Sequence, residues 1–470
     1  MMVDVKRELL SIKDILSASG GGANESFIPE DSKNALTIDS VSIDSRTCEK
    51  GALFVPLKGE NTDGHLYLRD AAEKGARLCF TAEEYWRENQ NVLAEITDEF
   101  GTEFLSVKDP LTALQRTAEY YLDGIKNVRR IGITGSSGKT TTKELIGAVL
   151  SEKGHAVVSE GNLNSEIGVC LAAFQVENGK DFAVFELGMN RIGEMDILAR
   201  IVKPEVAVIT NIGSAHIGLL GSRKTIALEK KKIFSLFSDD GVGFIHEDEP
   251  FFSLLASEVK GTIYPYGRKT LDGFEYSRNL GLEGMILGWR GLEIPLALPG
   301  EIHIDNACAA IAVALHLGIG DQEIAAGLAK VRPLFGRGEI RRGPVDLICD
   351  YYNANPESMG EAIGFLHSLE TEGRKIVLLG DMKELGDYAR QAHLEVGEKL
   401  LSQPVDMVFL IGEQMKRVYD QLSSTFGDRV FWGDNPEKLA EELKSILKRG
   451  DILLLKGSRA AALEEIEKKL

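Results

Sequence analysis

The run Gly132-Ile-Thr-Gly-Ser-Ser-Gly-Lys-Thr-Thr141 constrains the fold of this chain more than any other segment. It follows an apolar, strand-like run and precedes a helix-like one, which is the context that a phosphate-binding loop requires. Glycines let the backbone turn tightly, so N–H groups converge on phosphate oxygens, and the helix N-terminus adds positive potential. The residues that we predict to bind nucleotide phosphates here are Gly135, Ser136, Ser137, Gly138, Lys139, Thr140 and Thr141.

Two side chains of this loop have specific predicted tasks. The Lys139 ammonium is expected to reach the β- and γ-phosphates, and the Thr140 hydroxyl is expected to ligate Mg²⁺. The spacing differs from the usual GxxxxGK[ST], because Ile133 stands where the first glycine is expected. A glycine-rich strand–helix turn without a nucleotide is therefore the alternative.

Alternation of short apolar runs with longer amphipathic segments predicts the fold class. Such alternation implies α/β structure, in which helices cover both faces of a parallel sheet. The predicted strands are 131–134, 182–187 and 206–210, followed, after a breaker-rich junction at 331–338, by 346–352, 375–380, 407–412, 429–432 and 451–455. The predicted domains are 1–126, 127–335 and 336–470.

Composition and charge exclude several classes of protein. The net charge of −18 argues against a nucleic-acid footprint, which needs a basic face. Five cysteines without a CxxC pair fit a reducing cytosol, and neither a disulfide framework nor a zinc site. Residues 1–16 lack the apolar region of a signal peptide, and the most apolar helical stretch, 307–320, is too short to span a bilayer.

Several segments, taken in order, resemble the Mur ligase family, whose ATP loop has a similar Thr-Gly-Ser-Ser-Gly-Lys-Thr form. The resemblance runs from about residue 39 to 465, and the ordered set is far more specific than any one segment. It includes Gly161-Asn-Leu-Asn-Ser-Glu-Ile-Gly-Val169, Glu186-Leu-Gly-Met-Asn190, Thr210-Asn-Ile-Gly-Ser-Ala-His216, Cys349-Asp-Tyr-Tyr-Asn-Ala-Asn-Pro356, Leu379-Gly-Asp-Met-Lys-Glu-Leu385 and Lys456-Gly-Ser-Arg459.

The resemblance implies an ATP-dependent ligase that joins D-alanyl-D-alanine to a UDP-linked muramoyl tripeptide through an acyl-phosphate. The implied architecture is an N-terminal α/β domain for the UDP substrate, a central ATP-binding domain with a mainly parallel sheet, and a Rossmann-like C-terminal domain. The implied cofactors are ATP and Mg²⁺, and the implied localisation is cytoplasmic. The three small-molecule substrates are the expected partners of a monomer, with neither nucleic acid nor a membrane span.

Four residues are catalytic by this resemblance: Lys139, Glu186, His216 and Lys230. Thr140, Glu186, His216 and Lys230 are the implied metal-site residues, and Lys230 matches a lysine that carries a carbamate in the family. From the residues alone, Glu186 is a solvated acid at a strand end and His216 a structural hydrogen-bonding group. The neighbouring Lys231 and Lys232 keep their plain interpretation as a solvated basic face.

The resemblance also implies further binding residues. Asn306 matches an asparagine at adenine, while Arg337 and Asp350 match contacts to the phosphates and the ribose. Two positions depart from the family pattern: Ile302 precedes His303 where a histidine is usual, and Cys349 replaces an aspartate. The implied substrate residues are Ser45, Arg46, Asn162, Asn164, Asn353 and Asn355.

Two alternatives to this assignment stay open on the sequence. One is a different amide ligase of the Mur or folylpolyglutamate type. Asn355-Pro-Glu-Ser358 differs from the Asp-Asn-Pro-Arg of diaminoacid-adding relatives, and about 125 residues precede the loop where a folate enzyme has no UDP domain. The other is a phosphate-loop NTPase that makes no amide, although no guanine signature stands in a suitable place.

Overall fold

A computed structural model describes residues 9–19, 36–59 and 61–470. The expectation that residues 1–16 carry no apolar leader concerns a segment of which residues 1–8 lie outside the described part. The chain forms two compact units. The first comprises Met1–Arg130, Val157–Leu187 and Asp196–Pro204, and the second comprises Ile131–Ala156, Gly188–Met195 and Glu205–Leu470.

The N-terminal part of the first unit is built on a four-stranded parallel sheet. Its elements are β1 (Leu10–Ser11), α1 (Ile12–Ala18), β2 (Thr37–Ile38), β3 (Ser40–Ser42), β4 (Ala52–Phe54), α2 (Leu68–Glu73), β5 (Leu78–Ala82), α3 (Glu83–Phe100), β6 (Glu103–Val107) and α4 (Pro110–Gly124). Strands β3, β4, β5 and β6 lie side by side in this order. Asp109 caps α4 by accepting a 2.9 Å hydrogen bond from the Thr112 backbone N–H, and Pro110 suits the first helical turn.

The middle of the chain contains the phosphate loop. Its elements are β7 (Arg129–Thr134), α5 (Lys139–Leu150), β8 (Ala156–Val158), α6 (Gly168–Ala173), β9 (Phe182–Glu186), α7 (Glu194–Val202), β10 (Val206–Ile209), α8 (Ile217–Leu220), α9 (Arg223–Lys231), β11 (Val242–His246), α10 (Phe252–Ala256), β12 (Thr262–Tyr266), β13 (Phe274–Asn279), β14 (Met285–Trp289), β15 (Leu292–Leu296), α11 (Ile302–His316) and α12 (Asp321–Lys330). In the second unit, β12, β11, β10 and β7 are adjacent parallel strands. Helices α11 and α12 pack on α5, and β13–β15 form a separate antiparallel sheet.

The C-terminal part of the second unit is a second α/β layer structure. Its elements are β16 (Glu339–Arg341), β17 (Asp346–Asp350), α13 (Pro356–Ser368), β18 (Lys375–Gly380), α14 (Ala389–Ser402), β19 (Met407–Ile411), α15 (Met415–Phe426), β20 (Val430–Gly433), α16 (Pro436–Ile446), β21 (Ile452–Lys456) and α17 (Leu463–Glu467). The strand order is β16-β17-β21-β18-β19-β20, and only the β16–β17 pair is antiparallel. Alternate residues of β18 are buried in opposite cores: Val377 and Leu379 in one, Ile376 and Leu378 in the other.

The predicted α/β class and the parallel sheets are confirmed. Each strand predicted in the two later regions exists, and its ends differ from the prediction by at most two residues. The antiparallel sheet of β13–β15 was not predicted. No helix in the described ranges 9–19, 36–59 and 61–470 is long and apolar enough to cross a bilayer.

Candidate active site

The phosphate loop lies between the end of β7 and the start of α5. Gly135 and Gly138 both have positive φ, at 154° and 78°. A Cβ atom on Gly135 would lie 1.8 Å from Thr210 Oγ1, and one on Gly138 would lie 2.7 Å from Asn306 Oδ1. Glycine is therefore required at both positions by backbone conformation and by the closeness of neighbouring side chains.

The loop is fixed by the residues that follow β10. Thr210 Oγ1 donates to Ser137 O at 2.6 Å, while Asn211 Oδ1 accepts from Ser137 N at 3.0 Å. Asn211 O also accepts from Ser136 N at 3.0 Å. The backbone N–H groups of Ser136 and Ser137, which the sequence predicts to bind phosphate, thus donate hydrogen bonds to Asn211 in this structure. Asn211 is a residue that sequence reasoning missed, because its partner is 74 residues away.

The Lys139 ammonium folds over the loop. Its Nζ donates to Gly135 O at 2.9 Å and approaches Ser136 O at 3.5 Å. Thr140 is buried, with 2% of its surface exposed. The lysine therefore places a positive charge at the carboxyl end of β7, where open α/β sheets bind ligands.

Asn306 and His303, both in the first turns of α11, lie against the start of α5. Asn306 is buried and its Oδ1 accepts a 3.3 Å hydrogen bond from Thr142 Oγ1. Its Nδ2 lies 3.4 Å from His303 Nδ1. Burial lowers the pKa of His303 to about 4, so this imidazole is neutral at pH 7. The structure thus brings His303 beside the predicted adenine contact, although the family position of the histidine is one residue earlier.

The segment 211–218 after β10 connects the phosphate loop to α13 and to the loop after β18. Gly213 N donates to Ser136 Oγ at 2.8 Å, on the phosphate-loop side. On the other side, Ser214 N and Oγ donate to the two carboxylate oxygens of Glu357 at 2.8 and 2.9 Å. Glu357 was not predicted, since its role depends on a contact across 143 positions of sequence.

His216, a predicted metal ligand, contacts a carboxylate in this structure. Its Nδ1 is hydrogen bonded to the Glu384 side chain, and the backbone N–H of Gly218 donates to Glu384 O at 3.0 Å. The hydrogen bond from His216 lowers the pKa of Glu384. His216 is held at φ 64°, a left-handed conformation that is uncommon outside glycine.

The predicted acid Glu186 lies in the first unit, at the carboxyl end of β9. It is buried, and its Oε1 accepts a 2.7 Å hydrogen bond from Asn164 Nδ2. Two predicted residues are therefore brought together, because the segment with Asn164 folds back to the end of the strand. Asn162 lies in the same segment, where its backbone carbonyl accepts from Asn164 N at 2.7 Å.

Lys230 differs from the two lysines that follow it. Only 1% of its surface is exposed, whereas Lys231 and Lys232 are partly exposed. Lys231 Nζ donates to Ser257 Oγ, and Lys232 Nζ pairs with Glu229 at 2.8 Å. Burial therefore separates the first lysine of the three from its neighbours.

The predicted nucleotide contacts of the C-terminal region lie near one another in sequence. The Arg337 guanidinium lies 3.8 Å above the ring of Tyr352. The Asp350 carboxylate accepts a 2.7 Å hydrogen bond from Lys456 Nζ, and that lysine is almost fully buried. Lys456 also donates to Asn353 O at 3.4 Å. The sequence analysis included Lys456 in a segment that resembles the family but predicted no role for this cation.

Asn355 is the N-cap of α13. Its Oδ1 accepts a 2.8 Å hydrogen bond from Ser358 N, and Pro356 occupies the first helical position. Its Nδ2 lies 3.5 Å from Ser136 O in the phosphate loop. In the sequence, the Asn-Pro pair followed by Ser358 is a pattern typical of the start of a helix.

The predicted UDP-binding residues lie in a turn of the first unit. Ser45 is buried, and the Arg46 guanidinium is exposed and paired with Asp44 at 2.6 Å. The hydrogen bond from Arg46 lowers the pKa of Asp44 to about 2. The arginine that was expected to contact the diphosphate therefore has a carboxylate beside it.

A cavity of about 500 Å³ lies at the carboxyl ends of β18, β19 and β20. It is lined by both signs of charge, from Asp381, Lys383, Glu413, Lys416 and Asp434, and by the ring of Trp432. The Asp381 carboxylate accepts from Met415 N at 3.0 Å, and a Cβ on Gly412 would lie 2.3 Å from its Oδ1. None of these positions was predicted as a site, because charged residues after a strand are common.

The strand–glycine loop–helix with its lysine defines an α/β protein with a nucleotide phosphate loop. The chain belongs to the Mur ligase family. Three family models match it: "Mur ligase family, catalytic domain" at residues 37–121, "Mur ligase middle domain" at 133–314 and "Mur ligase, glutamate ligase domain" at 336–459.

Similar proteins cover almost the whole chain. The UDP-N-acetylmuramoyl-tripeptide--D-alanyl-D-alanine ligase of Treponema pallidum is 39% identical over 447 residues, covering 93% of this chain and 95% of that protein. The Bacillus subtilis protein of the same name is 36% identical, covering 92% and 93%. A crystal structure of MurF from Acinetobacter baumannii superposes with a TM-score of 0.86 at 28% identity, covering 99% of each chain. MurF ligase from Thermotoga maritima in complex with ADP has a TM-score of 0.75 at 25% identity, covering 92% and 96%.

Proposed function

We propose that this chain is an ATP-dependent ligase that joins D-alanyl-D-alanine to UDP-N-acetylmuramoyl-tripeptide, in peptidoglycan precursor synthesis. The observation that carries the proposal is the phosphate loop, in which Gly135 and Gly138 make a tight turn and Lys139 places an ammonium over it. The relatives that carry this activity in their names match the chain nearly end to end. One of the matching structures was solved with ADP.

The reaction has two steps. The terminal carboxylate of the tripeptide attacks the γ-phosphoryl group of ATP, which gives an acyl-phosphate and ADP. The amine of the dipeptide then attacks the acyl carbon, loses a proton, and expels phosphate as the amide forms. Lys139 stabilises the negative charge that moves onto the β–γ bridging oxygen in the first step.

Thr140, in the loop, offers an oxygen donor that fits Mg²⁺. This ion is usually bound by one or two protein oxygens, with phosphate oxygens and water completing the shell. Within the described residues no three histidine, cysteine, aspartate or glutamate side chains are clustered to hold a metal by themselves. Thr140 and His216, both of the second unit, would therefore share the ion with the nucleotide, and the ion would neutralise phosphate charge. Glu186, in the first unit, stays a candidate ligand on the resemblance alone.

Lys230 is our candidate for a carbamate. The modification joins CO₂ to a neutral amine with loss of a proton, and burial disfavours the charged form of a lysine. Lys230 is the fully buried member of its three-lysine run. As a carbamate it would present anionic oxygens to the cation, a role that an ammonium cannot fill.

We assign the UDP-muramoyl substrate to the first unit. Ser45 and Arg46 are the candidates for the uridine diphosphate, and Asn162 and Asn164 for the peptide end. Asn353 and Asn355 remain candidates for contacting substrate, although the amide oxygen of Asn355 caps α13. Asn306, Arg337 and Asp350 remain the candidates for contacting the nucleotide. The proposed domains are 1–126, 127–335 and 336–470.

The charged cavity at the ends of β18–β20 suits the acceptor dipeptide. D-alanyl-D-alanine is a zwitterion, and the cavity offers Lys383 and Lys416 to a carboxylate and Glu413 and Asp434 to an ammonium. Its volume of about 500 Å³ is ample for two alanines. A zwitterion with two methyl groups needs charges of both signs, and this lining contains both.

Product analysis tests the ligase assignment. The protein is incubated with ATP, UDP-muramoyl tripeptide and either D-alanyl-D-alanine or a diaminoacid, and the product is identified by mass spectrometry while ADP release is followed. We expect the pentapeptide product with the dipeptide alone. ADP release at full rate without an amine would favour an NTPase, and a diaminoacid product would favour another family member.

Two broader properties follow from the proposal. All three substrates are water-soluble molecules of the cytoplasm, which is the compartment we propose for the enzyme. We also propose a monomer, which sedimentation equilibrium at several concentrations would check. A mass of twice the chain's 51.4 kDa would contradict it.

A further inference from the structure

A carboxylate of α13 contacts the segment that holds the phosphate loop, in addition to the 3.5 Å approach of the N-cap Asn355 to Ser136 O. Glu357 occupies the second position of α13 and accepts from both Ser214 N and Ser214 Oγ. A carboxylate in the first turn of a helix is favoured by the helix dipole. The contact is thus a two-point, charge-assisted pair of hydrogen bonds, about twice as strong as neutral ones.

The approach of Glu357 depends on a glycine. A Cβ atom on Gly213 would lie 2.9 Å from the Glu357 carboxyl carbon, so a larger residue would push the carboxylate away. The same Gly213 donates its N–H to Ser136 Oγ in the phosphate loop. Successive residues of one segment therefore contact the nucleotide loop and the carboxylate of α13.

Further contacts support the same segment. Ile212 N donates to Glu249 Oε2 at 2.9 Å, and Gly218 N donates to Glu384 O at 3.0 Å. Glu249 is buried and belongs to the middle region, whereas Glu384 belongs to the C-terminal region. Of the two, only the Glu384 contact ties the segment to the same region as Glu357.

We propose that Glu357 is a positioning residue for nucleotide binding, which acts through Ser214 and Gly213 on Ser136 of the phosphate loop. The proposed role is indirect, because the contacts of Glu357 described above are with Ser214. The inference rests on the proposed function, because it takes the loop at 135–141 as the nucleotide site. It makes the geometry of that loop depend on a helix more than 200 residues further along the chain.

Three variants test this role with ADP as the probe. Glu357→Ala removes both acceptors and should weaken ADP binding about tenfold in calorimetry, with a similar rise in the KM for ATP. Glu357→Gln keeps an oxygen acceptor for Ser214 N and an N–H for Ser214 Oγ, so it should bind within threefold of wild type. Glu370→Ala removes an exposed carboxylate just after α13 and serves as the matched control.

Coupling to Ser214 provides a second readout. In a Ser214→Ala background, Glu357→Ala should cost less ADP affinity than it does in wild type, because one of the two hydrogen bonds is already absent. Equal ADP affinity of wild type and Glu357→Ala would overturn the inference, even if the melting temperature fell. Failure of the wild-type protein to bind ADP would instead contradict the proposed function.

Discussion

At the carboxyl end of β7 the peptide backbone forms the candidate phosphate-binding site, whereas at the ends of β18, β19 and β20 side chains form the charged cavity. The first place needs two glycines and tolerates no Cβ atom at Gly135. The second is a cavity lined by cations, carboxylates and an indole. A backbone site is specified by a short local pattern, while a side-chain site is assembled from several strand ends. The difference predicts which substitutions abolish activity and which only change a substrate's affinity.

The largest effect is expected for Lys139→Ala, at the backbone site. Loss of the ammonium removes the main positive charge over the loop, and we expect turnover to fall by about 10³-fold or more. Coupled ADP release measures the rate, and circular dichroism checks that the fold is kept. Lys153→Ala, an exposed lysine just after the same helix, is the control. Near-normal ligation by Lys139→Ala would rule out its proposed phosphate role.

Gly135→Ala tests the backbone itself. The new Cβ would lie 1.8 Å from Thr210 Oγ1, so the loop must shift, and we expect roughly a 100-fold loss of ADP affinity. Calorimetry measures the affinity. Gly124→Ala, at the last position of α4 with no atom within 4 Å of the added Cβ, should leave binding unchanged. Unchanged ADP binding in Gly135→Ala would show that the nucleotide lies elsewhere.

Lys230→Ala tests a side chain of the middle region, the proposed carbamate, separately from the backbone of the phosphate loop. We expect turnover to fall by about 10- to 100-fold, as for other groups that support a metal site. Acetate or formate should restore part of it by supplying a carboxylate in place of the carbamate. Lys231→Ala, whose ammonium contacts Ser257, should need no rescue. Full activity of Lys230→Ala without added carboxylate would contradict the carbamate.

The smallest effect is expected at the cavity. Lys416→Ala removes one of several charges, so we expect the KM for D-alanyl-D-alanine to rise about tenfold, equivalent to ~1.4 kcal/mol, with the KM for ATP unchanged. Initial rates, measured while the concentration of one substrate at a time is varied, give the two KM values separately. Lys438→Ala, an exposed lysine of α16, is the control. An equal rise in both KM values would show that the cavity does not belong to the acceptor.

The sequence predicted the fold and the position of the glycine-rich loop well, because both depend on local patterns. Gly135–Thr141 lies between β7 and α5 as expected, and Lys230 is the buried member of its run. The residues that it missed, such as Asn211, Glu357 and Lys456, act through partners 74, 143 and 106 positions away. No pattern of residues along the chain encodes such pairs without knowledge of the packing.

The indole of Trp432 gives the cavity an intrinsic optical reporter. The chain has three tryptophans, and Trp86 and Trp289 are buried in other cores, whereas Trp432 is partly exposed on the cavity wall. Its Nε1 donates to Gly412 O at 2.8 Å, and the Lys416 ammonium lies 5.0 Å from its ring. A ligand carboxylate that attracts the Lys416 ammonium changes the electric field at the Trp432 ring. The intensity of tryptophan fluorescence can therefore report binding in the cavity without an added label.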